Sequence, residues 1–541
     1  MAQALDNKSI NHIPLLETDF LNPIVKRYQT NDNFPAELLN ESPYADIAES
    51  IKSQKNFNLE YRNQLADLII SQYADSQITL EPDSLVLKNI EKLRKSNTVT
   101  ATTGQQIHIF LGPFFVVNKL LSCCAQAKRI ETELNNIDCV PIFWMATEDH
   151  DFEEINSVNL YNEVYTWDIE SHGPVGRIPP QSLLPLVEQA KKRIDQTPKN
   201  LEFIEICEFA YKNCRTFADA SRYIIHQLFK STGIVVIDPD NAYLKQQFSD
   251  TIKSDLFEHS VSKHIDEAID TMKTFGIKAP INTRPINLFY IEDSRRTRIE
   301  RINEIEFQLL DDNTKLNSED IKDLLKESPE VFSPNALLRP LFQQTILPNV
   351  DYVCGMSEFV YWLEVGSAIN YHGSTMPKLS LRKSAFFTNK KNIDYLIQNN
   401  IPISYIFLDE ETFVLLSSQK LNEKSLLLQE SFDRLKTDIN ILTTEFESNP
   451  SLHSQRAVKY RTQLIEEVEK LLIEHSELSL SENKTLTKIQ KFKSKIWSQN
   501  YVQERNVSII QMVNEMLFCI NNSIHNNSIF VDNTLITLAE N

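Results

Sequence analysis

Apolar positions along this 541-residue chain follow two rhythms. From 98 to 387, short apolar runs alternate with stretches of helical period. The runs at 98–103, 139–146, 233–241 and 351–355 predict buried strands, and 286–291, 297–308 and 378–387 read the same way. Helices are predicted at 113–135, 183–195, 201–230, 241–274, 318–327, 335–347 and from 355 to 371. Strands alternating with helices imply an α/β fold, with a mainly parallel sheet covered on both faces. Residues 1–97 read as helical and polar.

The rhythm changes after 388. Leu428, Phe432, Leu435, Ile439, Leu442 and Phe446 step by four and three residues in alternation. Leu464, Val468, Leu471, His475 and Leu478 do the same, and SNPS (448–451) between them reads as a turn. Two seams joined by a short proline turn predict an α-helical antiparallel coiled coil. SIFVDNTLITL (528–538) reads as an edge strand returning to the main body. The expected domains are a core over 1–387, a coiled coil over 388–500 and a returning segment over 501–541.

The net charge of −19, from 55 basic and 74 acidic residues, argues against general affinity for nucleic acid or anionic membrane. Apolar runs such as IFLGPFFVV (109–117) are too short to span a bilayer, and the first residues carry no secretory pattern. Seven cysteines, an odd number, form no CxxC pair, which argues against a disulfide framework or structural zinc site and fits a reducing cytoplasm. Only nine glycines occur and none follows Gly373, so each is expected where a side chain would obstruct the backbone or a ligand.

Two segments carry most of the chemistry. TATTGQQ (100–106) runs a strand into Thr103, Gly104, Gln105 and Gln106, offering amide donors and acceptors at a sheet end. Gly112-Pro113 then starts a helix whose free N–H groups suit an anion, with Lys119 two turns on. ATEDHDFEE (146–154) places Glu148, Asp149, His150 and Asp151 at a strand exit. Clustered carboxylates can hold a histidine charged. They could bind an amine, supply a general base or ligate a divalent metal. Glu153 and Glu154 equally suit the start of a helix. Arg177 in GPVGRIPP (173–180) can clamp a carboxylate, or sit on an ordinary surface loop. Arg339 lies among leucines, where an internal ion pair is the plainer reading. Glu358 falls outside the Ser-x-x-Glu spacing from Ser357, which leaves it available to a ligand. Lys378, Arg382 and Lys383 suit a polyphosphate or form a solvated basic edge.

TTGQQ, GPFFVVNK, PIFWMATEDHDFEEIN, GPVGRIP, NALLRPLFQQTILPNVDYVCG and VQERN (502–506) occur in that order. Together they resemble the bacillithiol-forming cysteine ligase family, BshC, across nearly the whole chain. The resemblance implies a Rossmann-like core with inserted connecting segments, similar to class I aminoacyl-tRNA synthetases. It also implies a coiled coil that makes a homodimer. The implied reaction joins cysteine to the amino group of glucosaminyl malate, with ATP or ADP as the nucleotide. On this resemblance Glu148, Asp149, His150 and Asp151 are catalytic, with His150 the proton carrier. Thr103 to Gln106 and Asn156 flank the cleft, joined by Arg177 and Glu358 as substrate ligands. Lys119, Arg382, Lys383, Ser384, Arg505 and Asn506 are the expected nucleotide residues, in a site between core and coiled coil. The chain departs from the pattern at Ile107 and His108, where a small residue is expected. A metabolite-binding scaffold, and a metal hydrolase built on Asp149, His150 and Asp151, are the competing readings.

Overall fold

The computed structural model describes residues 9–292, 294–421, 423–447, 453–525 and 534–540. The chain divides into two compact units: Asn22–Ser384 with Glu504–Asp532, and Met1–Leu21 with Ala385–Gln503 and Asn533–Asn541. The stretch expected as one domain over 1–387 is thus shared between them.

The first unit is built on a five-stranded sheet, every neighbouring pair parallel. Its order is Lys378–Leu381, Asn349–Cys354, Thr98–Gln105, Asp138–Met145, Val235–Ile237. This is the expected α/β core. Asp138–Met145 is almost continuously apolar because helices cover both faces. Thr98–Gln105 is threonine-rich yet buried, and its hydroxyls find partners inside the sheet. Thr102 donates to Asn349 Oδ1 (2.8 Å) and Thr103 to the Val353 carbonyl (2.7 Å). The helices Phe115–Glu133 and Met356–Tyr371 follow the two central strands.

Several expectations change. The strands expected over 286–308 belong to a second sheet, entirely antiparallel, in the order Lys315–Asn317, Glu306–Leu309, Arg295–Arg301, Leu288–Glu292, Phe332–Pro334. The single helix read over 241–274 is three, and its last break is His259, whose left-handed backbone (φ 53°) cannot continue a helix. The strand read over 378–387 is two strands in different sheets, Lys378–Leu381 and Ser384–Asn389. Pro113 precedes the helix instead of opening its first turn, which starts at Phe115.

In the second unit, Thr534–Glu540 lies between Ser9–Pro14 and Ser384–Asn389. The described part of the 528–538 segment is therefore a middle strand, not an edge. Long helices run over Glu423–Glu447 and His453–Glu482, and Lys436 on one reaches Glu469 on the other (3.3 Å). The SNPS turn lies outside the described residues. No helix among the described residues is long and apolar enough to cross a membrane. All seven cysteines are free.

Buried carboxyls in the first unit give stability a definite pH slope. Asp255 is fully buried and accepts from the Asn287 backbone N–H (2.7 Å) and side-chain amide (3.2 Å). Burial pushes its pKa up to about 7 against those bonds, and Asp351 is pushed up to about 6 by the same cause. A raised carboxyl pKa means the folded state holds the proton longer. The stabilisation is complete below the unfolded pKa and is lost as pH rises through the folded one. Unfolding free energy by urea titration is expected to fall between about pH 4 and about pH 7, with a shallower fall in Asp255→Asn.

Candidate functional site

The parallel sheet reverses its build direction between Thr98–Gln105 and Asn349–Cys354. A crevice opens at such a point, beyond the strands' C-terminal ends. Here it is a cavity of about 380 Å³, walled by Gln105, Gln106, Lys119, Tyr352, Glu358 and Arg505 among others. A larger cavity of about 1100 Å³ adjoins it, formed by Glu148–Asp151, Phe289, Arg296 and Arg298 with the segment 280–287. The two share Trp144, Ala146, Asp149, Asp151 and Arg339.

The polar turn after one strand and the acidic turn after the next touch directly. Gln106 Nε2 donates to Asp149 Oδ2 (3.0 Å), and the His150 backbone N–H donates to Asp149 Oδ1 (2.9 Å). Burial resists charge on Asp149, but Arg339, Arg296 and those two bonds outweigh it and hold its pKa below the usual carboxylate range. The GPVGR loop braces this turn: Val175 N–H bonds the Asp149 carbonyl and Gly176 N–H the Thr147 carbonyl, both at 2.8 Å. A Cβ at Gly176 would collide with Thr147, so the sparing use of glycine has a packing reason here.

His150 is not held charged. Burial lowers its pKa first, and Arg296 adds to that against the pull of Asp151 and Asp149. The ligand atoms of Asp149, His150 and Asp151 lie within 4.8 Å of one another. Arg296 donates to His150 Nδ1 (2.8 Å) and, with Arg339, supplies the positive charge beside Asp149. A divalent cation would have to enter against both guanidiniums, which disfavours the hydrolase reading.

Other expected site residues are already committed. Glu148 is buried and pairs with the fully buried Lys245, which also donates to the Phe332 carbonyl (2.6 Å). Thr103 is buried with its hydroxyl used by the sheet. Arg177 is bound in two places by Asp240, at 2.7 Å each. Asn156 caps the short helix Phe152–Ile155 and lines neither cavity. Glu358 is not free: it accepts from Gly355 N–H (2.7 Å) and Tyr352 Oη (2.9 Å) and pairs with Lys119 (2.6 Å). The cap residue of that helix is Gly355, three before Glu358, so the spacing measured from Ser357 misplaced the cap.

The expected nucleotide cations divide. Lys119 lines the smaller cavity but also bonds Gly104 and Gln105, and burial lowers its pKa. Arg382 reaches Glu504 through two nitrogens (2.7 and 3.0 Å), and Ser384 Oγ also bonds Glu504 (3.1 Å). Lys383 uses its backbone N–H on Ser122 Oγ (2.9 Å). Arg505 is exposed and lines the smaller cavity; Asn506 is exposed and does not. The helix start near Gly112 is covered, since Phe114 N–H bonds the Val507 carbonyl and Ile509 N–H the Gly112 carbonyl, both at 3.0 Å. That start cannot serve as an open anion site. Ile107 is buried and His108 half-buried, and burial of its ring lowers the His108 pKa to about 4.

Residue type alone did not reveal the roles of Arg296 and Arg339. The Arg339 guanidinium stands in the wall common to both cavities, with no hydrogen-bond acceptor among the described residues. The internal ion pair considered for it is absent among them. Its position inside the NALLRPLFQQ segment was the one signal pointing to it.

Comparison with known proteins agrees with this architecture. The family described as "Bacillithiol biosynthesis BshC, N-terminal Rossmann-like domain" matches residues 9–383. A protein of Flavobacterium johnsoniae named "Putative cysteine ligase BshC" is 31% identical over 494 residues, 90% of this chain and 91% of the relative. Relatives of the same name from Flavobacterium psychrophilum (31% over 489 residues, 89% and 90%) and Cytophaga hutchinsonii (34% over 349 residues, 64% of each) are similar.

Proposed function

The chain belongs to the BshC family of bacillithiol biosynthesis, and from that premise we propose that it ligates L-cysteine to the amino group of glucosaminyl malate. The observation that carries this reading is the pair of cavities meeting over Asp149, Asp151 and Arg339. A condensation needs two substrates that enter separately and touch at one point, and a shared wall provides that point. Joining a free carboxylate to an amine is uphill in water, so a nucleotide such as ATP would supply the carboxyl activation. Arg505 and Arg339, on the smaller cavity, are cations without an acceptor among the described residues and could hold an anionic group there. Asp151 is exposed and borders both cavities, which suits it to take the proton that the attacking amine loses.

Turnover of cysteine, glucosaminyl malate and ATP by the full chain, followed by mass spectrometry of the thiol product, tests this. Absence of bacillithiol, with the acceptor substrate verified as intact, would sink the reading.

We also propose that the helices Glu423–Glu447 and His453–Glu482 form the antiparallel coiled coil and pair two chains. Phe432 is buried, but the heptad-related Leu428 and Leu435 are each 43% exposed, Leu464 50% and Leu471 63%. Leucines at seven-residue spacing on an open face suit a helical partner of the same kind. The combined variant Leu435→Glu, Leu471→Glu is expected to convert a dimer to a monomer in light scattering without loss of helicity. A wild type that is monomeric at micromolar concentration would refute the pairing.

A further inference from the structure

We propose that Arg296 is a positioning residue that holds His150 as a neutral imidazole with its proton on Nε2. His150 then serves the reaction as a hydrogen-bond donor and not as its base. The part of this that concerns the reaction rests on the ligase reading above; the part that concerns His150 does not.

The argument is one of donors and acceptors. Arg296 Nη1 lies 2.8 Å from His150 Nδ1. A guanidinium has only N–H donors, so Nδ1 must be the acceptor and carry the lone pair. A cationic imidazole would set N–H against N–H at that distance, and the Nδ1–H tautomer would do the same. Only the neutral ring with Nε2–H remains.

Arg296 is itself fixed. It is 7% exposed. Its Nε donates to Ser333 Oγ (3.0 Å) and its Nη2 to the Pro334 carbonyl (2.9 Å). Its Cζ sits 3.9 Å from the centre of the Phe289 ring, which also packs beside the His150 ring at 5.3 Å. Releasing His150 would break those contacts and leave a buried cation without partners. Around His150, Asp149 (3.8 Å from Nδ1) and Asp151 favour a charged ring, while Arg296, Arg298 and partial burial oppose it. Removing Arg296 would tip that balance towards protonation.

The consequence for the chemistry follows from where the lone pairs are. As the amine nitrogen bonds the activated acyl carbon, the carbonyl electron pair moves onto oxygen. Collapse reforms the carbonyl and expels the leaving group, and the amine proton goes to a base. His150 has no free lone pair to be that base, because Nδ1 is engaged and Nε2 is protonated. The proton therefore goes to a carboxylate, with Asp151 and Asp149 at hand. Nε2–H, on a residue that lines the larger cavity, can donate to the oxygen that gains charge.

The test is nitrogen NMR of the deuterated full chain labelled at histidine, with the His150 signal assigned by its loss in His150→Gln. Wild type is expected to show Nε2 protonated and Nδ1 unprotonated at neutral pH. In Arg296→Met the His150 midpoint is expected to rise by about one pH unit or more, because the nearest cation opposing protonation is gone while Asp151 and Asp149 remain. Arg296→Lys, which keeps a donor, is expected to restore part of the shift. The other histidines report the fold of each variant. A wild-type His150 that is cationic or Nδ1-protonated at neutral pH overturns the proposal, whatever the variants do. So does an Arg296→Met titration identical to wild type. No turnover is needed, so failure here and failure of the ligase assay are told apart.

Discussion

Asp149→Asn is expected to lower bacillithiol formation by at least about a hundredfold while leaving the chain folded. The amide has the same shape and its one oxygen can still accept from the His150 N–H, while its NH2 can donate to Gln106 once that side-chain amide turns over, so the turn is expected to persist. What disappears is the negative charge in the wall that both cavities share. That charge is well defined: Arg339 and Arg296 keep Asp149 ionised despite its burial. It can orient an ammonium or help receive its proton, which a neutral amide cannot do. Because its pKa is depressed, the stabilisation that comes from its ionisation is complete above the usual carboxylate range and is lost only as pH falls through the folded value. Product yield and the urea midpoint check the two halves together. Yield within a few-fold of wild type, with the midpoint unchanged, would remove Asp149 from the mechanism.

Glu504→Ala is expected to cost about 3–5 kcal/mol of folding stability. Glu504 is 1% exposed and accepts from Asn118 (2.6 Å), Ser384 (3.1 Å) and two nitrogens of Arg382. The Arg382 side chain is itself only 6% exposed. Truncating the carboxylate leaves a buried guanidinium unpaired beside Arg505, and that is the large penalty. Adding Arg382→Met is expected to recover most of the loss, because the stranded charge goes with it. Chemical denaturation of the single and double variants measures both steps. A single variant within about 1 kcal/mol of wild type would mean that the knot is solvated and Arg382 is available to a phosphate after all.

Much of the architecture is legible from local pattern. The apolar run at 139–146 marks a strand buried on both faces, and 318–327 and 356–371 keep a helical period between clear stops. The adjacency of the TGQQ and EDHD turns was also readable, because consecutive strands of a parallel sheet bring their exit loops to one rim. Local pattern failed where breaks carry no signature. His259 and the residues between Leu381 and Ser384 end elements without glycine or proline, so 241–274 and 378–387 each read as one piece. The fourth candidate catalytic residue, Glu148, and the candidate ligands Arg177, Glu358 and Arg382 were chosen by charge and proximity to a motif. Their partners Lys245, Asp240, Lys119 and Glu504 are distant in sequence or unmarked as partners, and each neutralises its residue inside the fold.

The sequence by itself determined the strand and helix rhythm, the parallel sheet and the two turns at its rim, because periodicity and β-branched or apolar runs act over a few residues. The tertiary structure alone decided which charges stay free and which proton His150 carries. Arg339 is left without an acceptor among the described residues at the junction of two cavities, and Arg296 reaches His150 across 146 residues of chain. A side chain's charge state depends on what the fold sets beside it, and hydrogen bonds at 3 Å between residues so far apart leave no periodic trace.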